Sequence, residues 1–161
     1  MVMASQLVRL THSCGIITNE KHTGMKKQLI YVVDDEADYL TLVQFVFAEF
    51  LPQYSIAVFQ NGEVMMGNLQ KGLEHPVLIF LDLHMPIMNG QQTLRGLKQR
   101  LDWKPIPVVM VTNGASDQEV QACYEAGANS CLAKPMNIEA MQLLFNQVCS
   151  YWVNTNGPIP Y

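Results

Sequence analysis

The stretch Ile79-Phe80-Leu81-Asp82-Leu83-His84-Met85-Pro86-Ile87-Met88-Asn89-Gly90 decides how the rest of the chain is read. Val77 to Leu81 is continuously apolar, the pattern of a strand covered on both faces. Pro86 then forbids further ladder pairing, and Asn89-Gly90 is a turn signal. A carboxylate at the end of a buried strand costs free energy unless a partner stabilises it or its charge is used. Asp82 therefore predicts partners elsewhere in the chain.

Outward from this strand the sequence alternates. Leu29 to Val33, Ser55 to Phe59, Val77 to Leu83, Val108 to Val111 and Ser130 to Ala133 read as short strands. Between and after them, helical patterns run over Asp38 to Leu51, Gly62 to Gln70, Gln91 to Leu101, Asp117 to Ala126 and Asn137 to Val153. The first places Leu40, Val43, Phe47 and Phe50 or Leu51 on one face, and the fourth turns Val120, Cys123 and Tyr124 inward. The last carries a core stripe of Ile138, Met141, Phe145, Val148 and Trp152. Five strands alternating with five helices imply one α/β fold, flavodoxin-like and doubly wound, with a parallel sheet and helices on both faces. Residues 1–24 lack sustained periodicity and read as a flexible or non-native extension; 25–154 is the expected domain and 155–161 a tail.

Composition narrows the function. Among 161 residues, 49% are hydrophobic and 15% charged, a globular balance. A net charge of −4 gives no electrostatic reason for nucleic-acid binding. No apolar run reaches the length of about 20 needed to cross a bilayer, and Arg9, His12 and Ser13 interrupt any leader-like core, so the expectation is a cytoplasmic protein. Cys14, Cys123, Cys131 and Cys149 show no metal or redox spacing and read as inert thiols.

In a doubly wound sheet, ligands bind beyond the carboxyl ends of the strands. Those ends here supply Asp34-Asp35, Asp82, Thr112 and Lys134. Three carboxylates brought within a few ångströms repel one another unless a cation intervenes. Their hard oxygens suit Mg²⁺, which keeps waters and binds through one or two carboxylates plus a phosphoryl group. Asp82 so placed is a plausible nucleophile for phosphoryl transfer, with metal and Lys134 offsetting charge on the transferring oxygens.

On these residues the sequence resembles the response-regulator receiver domain over about residues 27–154. The resemblance is carried by "VVDDE" at 32–36, "LDLHMPIMNG" at 81–90, "VMVTNGA" at 109–115 and "AKP" at 133–135, in that order and each at a strand end. It implies that Asp82 accepts the phosphoryl group. Asp35 and Asp82 would be direct Mg²⁺ ligands, His84 a ligand through its backbone carbonyl, and Asp34 an acid acting through water. Lys134 would pair with the phosphoryl oxygens, and Thr112 would be the hydroxyl that moves toward them. A cis bond between Lys134 and Pro135 is also implied by the resemblance alone.

The sequence departs from the family at Cys131, where an aromatic switch residue is usual, so signalling is expected to rely on backbone shifts instead. Asn113 stands where a small residue is usual and is expected to hinder attacking water. Leu144 and Tyr151 either widen the buried face of the last helix or form a patch for a partner or a second copy. The expected role is that of a stand-alone, chemotaxis-regulator-like receiver, similar also to the phytochrome-associated kind in "SYWVN" at 150–154 and "GPIPY" at 157–161. Its donor would be a histidine kinase or histidine phosphotransfer protein, its output a downstream protein target or a homodimer through the last two helices, and its own catalysis limited to self-phosphorylation and hydrolysis. The alternative is a degenerate receiver that docks partners without phosphorylation. An aspartyl-phosphate phosphatase would want a second acid at His84, and a flavodoxin's phosphate would be repelled by Asp34-Asp35-Glu36.

Overall fold

A computed structural model describes residues 15–17, 26–72 and 74–156. Its strands are β1 (Gly15–Ile17), β2 (Gln28–Val33), β3 (Tyr54–Phe59), β4 (Leu78–Leu81), β5 (Val108–Thr112) and β6 (Ser130–Ala133). Its α-helices are α1 (Ala37–Phe50), α2 (Gly62–Gln70), α3 (Gly90–Gln99), α4 (Asp117–Glu125) and α5 (Ile138–Cys149), the last continuing as a π-helical turn, Ser150–Thr155. The sheet order is β1-β3-β2-β4-β5-β6, and β2 to β6 form the expected parallel five-stranded sheet. β1 is an addition the sequence pattern did not reveal. Its backbone pairs antiparallel with β3, Ile16 opposite Ala57; the rest of the expected 1–24 extension and the tail beyond 156 lie outside the described residues.

Alternation along each strand divides the core in two. Leu29, Tyr31 and Val33 face the α2–α3–α4 side with Leu94, Leu97, Trp103 and Met110. Ile30 and Val32 face the α1–α5 side with Val43, Phe47, Phe80 and Phe145. There Phe145 is edge-on to Phe80 at 4.9 Å and tilted against Phe47 at 5.2 Å between ring centroids, geometries that add to area burial.

Of the two candidates at the end of α1 packing takes one, and the expected core positions Tyr124, Ile138 and Trp152 move outward. Leu51 is buried, whereas Phe50 is 40% exposed. Tyr124 is half exposed rather than inward, because its hydroxyl reaches out to accept the Cys131 backbone N–H at 3.2 Å. The buried stripe of the last helix runs Met141, Phe145, Cys149 and Val153, a strict step of four, while Ile138 and Trp152 sit toward its margins. An ideal α-helix drifts off such a stripe, and the π-helical turn, wider per turn, carries it on to Val153.

Candidate functional site

The topology reverses at β2, which lies between β3 and β4. Crossovers leave to opposite sides there, opening the crevice where such sheets bind ligands. The parallel register brings the ends of β2 and β4 level: Val33 pairs with Leu81, and the Asp82 N–H donates to the Val33 carbonyl at 2.9 Å. Asp34 is tied in turn by its N–H to the Phe59 carbonyl at 3.0 Å. Gly90 lets the turn after Asp82 close, since a Cβ there would overlap the Asp82 carbonyl oxygen and press on the Leu83 backbone. The Gly90 N–H seals that turn on the Leu83 carbonyl at 2.9 Å.

Asp34, Asp35 and Asp82 each offer a carboxylate oxygen, and these atoms lie within 4.8 Å of one another. Asp34 and Asp82 are buried and Asp35 is open to solvent. Burial, then the charge of Asp34, raises the Asp82 pKa to about 6 against the pull of Lys134 and of the His84 and Leu83 N–H groups. Burial likewise raises Asp34, in spite of its hydrogen bonds from Lys134 and the Glu36 N–H. Two carboxylates strained toward neutrality, with a third at the rim, form a pocket of hard oxygens that fits a divalent cation.

Lys134 is the buried cation of the site. Its Nζ lies 2.6 Å from Asp34 Oδ2 and 2.7 Å from Glu36 Oε1, over the Tyr39 ring at 4.2 Å. Among the described residues no ion pair joins it to Asp82. Burial opposes its charge, yet the hydrogen bonds of Asp34 and Glu36 outweigh that and hold its pKa above the ordinary lysine value. Glu36 and Tyr39 were not singled out from sequence. The signals were a third acid directly after the acidic pair, and an aromatic three residues beyond it. No cis peptide bond is present among the described residues, so Lys134–Pro135 is trans, the form that wins without special constraint.

Thr112 is buried at the end of β5, its Oγ1 3.4 Å from His84 Nδ1. His84 Nε2 donates to Glu119 Oε1 at 2.9 Å, and the same Glu119 closes the capping box of α4 with Ser116. These hydrogen bonds, His84's first, hold the Glu119 pKa down to about 2. A groove of about 490 Å³ opens beside them, lined by His84, Met85, Asn89 and Glu119. Asn113 is exposed and reaches Met136 Sδ at 3.6 Å. Cys131 stands beside Cys123, and burial first raises its pKa to about 11, so it is a protonated apolar filler.

Comparison with known proteins agrees with this geometry. Residues 30–146 match the family described as the response regulator receiver domain. The chain is 32% identical over 134 residues to response regulator Rcp1 of Synechocystis sp., covering 80% of this chain and 90% of that one. It is 26% identical over 132 residues to a probable methanogenesis regulatory protein, FilR2, of Methanothrix harundinacea, with coverage of 80% and 85%. A crystal structure of Mn²⁺-bound Rcp1 superposes with a TM-score of 0.73 at 29% identity, over 83% of this chain and 99% of the other. The phosphorylated cyanobacterial phytochrome response regulator RcpA shares the fold, with a TM-score of 0.74 at 22% identity over 81% and 96%. No helix among the described residues is long and apolar enough to cross a membrane. The chain belongs to the response-regulator receiver family of two-component signalling.

Proposed function

We propose that Asp82 is the phosphoryl acceptor of this response-regulator receiver domain, working in the cytoplasm and loaded by a histidine kinase or a histidine phosphotransfer protein. The observation that carries this reading is the meeting of Asp34, Asp35 and Asp82 within 4.8 Å at the switch point of a parallel sheet, with Lys134 buried beside them. Mg²⁺ is the expected cation, held by Asp35, Asp82 and the His84 backbone carbonyl, with Asp34 acting through water. When bound, such a cation relieves repulsion among the carboxylates and offsets negative charge on the transferring phosphoryl oxygens.

An Asp82 carboxylate oxygen attacks the phosphorus of the donor phosphohistidine. The P–O bond forms as the P–N bond breaks, and the imidazole leaves with the electron pair. Lys134 then balances the new charge, and Thr112 turns from His84 to donate its hydroxyl to a phosphoryl oxygen. Hydrolysis of the acyl phosphate returns the free carboxylate and inorganic phosphate. No further substrate turnover is expected.

Output is read as a protein contact on the face made by α4 and α5. Its support is the exposure of Tyr124 on α4 and of Ile138, Leu143 and Tyr151 along the last helix and its π-helical turn, apolar surface that suits a downstream partner or a second copy. Acetyl phosphate with Mg²⁺ should add one phosphoryl group, seen by intact-mass spectrometry. EDTA and Asp82→Asn should each abolish the adduct; one that survives both would defeat the assignment.

A further inference from the structure

Helices α2, α3, α4 and α5 each begin on a side chain that accepts a backbone N–H: Asn61, Asn89, Ser116 and Asn137. Helix α1 does not. Its N-cap residue, Glu36, makes no side-chain cap bond, and its carboxylate turns to Lys134 instead.

An ammonium has three N–H donors. In Lys134 two are taken by Asp34 at 2.6 Å and Glu36 at 2.7 Å, and the charge rests on the Tyr39 ring. The lysine side chain is 2% exposed, so water does not replace a partner that leaves. Among the described residues the ammonium makes no ion pair with Asp82, so to meet a phosphoryl group there it has to shift, and the shift strains one of its two carboxylate contacts. They are unequal: the Asp34 side chain is 3% exposed and that of Glu36 58%. Freed Glu36 regains bulk water, which buried Asp34 cannot do.

We propose that Glu36 is a releasable latch on Lys134, a positioning residue that holds the ammonium at rest and yields it when Asp82 carries a phosphoryl group. This deepens the receiver reading and rests on Asp82 as the acceptor. The latch weights the two-state equilibrium toward rest, because the phosphoryl-bearing state has to outcompete the Glu36–Lys134 pair. Glu36→Gln keeps the side chain's length and an acceptor oxygen but removes the charge.

The test compares wild type, Glu36→Gln and Asp38→Asn. Asp38, exposed in the first turn of α1, supplies a charge control. In metal-free protein labelled at lysine ¹⁵Nζ, NMR reads proton exchange of the Lys134 ammonium. Calorimetry then reads the affinity for beryllofluoride with Mg²⁺. Glu36→Gln should speed the exchange and tighten beryllofluoride binding about threefold to tenfold, and Asp38→Asn should do neither. Unchanged exchange in Glu36→Gln, unchanged or weaker binding, or equal tightening in Asp38→Asn overturns the latch and leaves the acceptor intact. Failure of beryllofluoride to bind wild type overturns the acceptor assignment and the latch together.

Discussion

At the amino end of the sheet, Lys98 sends its ammonium to two carbonyls, Lys104 at 3.0 Å and Ile106 at 2.7 Å. Nearby, the Asn129 side chain accepts the Val108 N–H at 2.8 Å, and the Arg100 guanidinium covers Trp103 at 4.1 Å. At the carboxyl end, Lys134 is shared between two carboxylates while Asp82 has no cationic partner at ion-pair distance among the described residues. The Tyr39 hydroxyl there is buried with no hydrogen-bond partner among the described residues, and Ile87, a β-branched residue, is held at φ 70°. Each end holds a lysine away from bulk water, Lys134 buried and Lys98 half-buried. One fixes it on carbonyls that have no other use for it; the other lends it to acids that can exchange it. Closed polar groups lock a scaffold, and open ones leave work for a ligand.

Substitutions can break or sharpen this contrast. Trp103→Ala empties a site 2% exposed in the core and should cost about 3–5 kcal/mol in urea unfolding. That cost falls on the scaffold end; a loss under 1 kcal/mol would mean that end is no more tightly built than the other. Asp82→Asn should act in the opposite direction in metal-free buffer. With its folded pKa raised to about 6, Asp82 keeps a proton that the unfolded chain has lost. Stability therefore falls as pH rises through that range. Asp82→Asn should be more stable by about 1–2 kcal/mol above pH ~7, and the gain should vanish near pH ~4. A gain independent of pH would show that the charge is not its source.

Lys98→Met keeps most of the stem but strands two carbonyls, at a cost of about 1–2 kcal/mol by the same unfolding measurement. Neutrality would show that water caps the loop as well as the ammonium does. The smallest effect belongs to Ile87, which is 78% exposed and packs little. Ile87→Asn removes the left-handed strain and should raise stability by about 0.5–1 kcal/mol. A lower melting temperature would place Ile87 among the stabilising contacts of the turn.

Much of the fold was legible because its signals are local. Apolar runs set β2 through β6 to within two residues, and the helical periodicity located α1 through α5. What stayed open or moved came from tertiary choices between neighbours. Phe50 and Leu51 are equally apolar, and only packing selects Leu51. Trp152 yields to Val153 because the helix widens, and Tyr124 turns outward for a hydrogen bond with β6. β1 is three residues long and paired at an edge, too short for periodicity to register. At the site, the acids, Thr112 and Lys134 were readable as strand ends. Their pairing was not, because Glu36 and Lys134 meet 98 residues apart through side-chain rotamers.

Which carboxylate takes the phosphoryl group is the decisive point. Borohydride reduces an acyl phosphate to the alcohol, so treating the acetyl phosphate-loaded protein and mapping its peptides identifies the residue. Homoserine is expected at position 82, with Asp34 and Asp35 unaltered. Homoserine at 34 or 35, or phosphate retained on a hydroxyl or an imidazole, would contradict Asp82 as the acceptor.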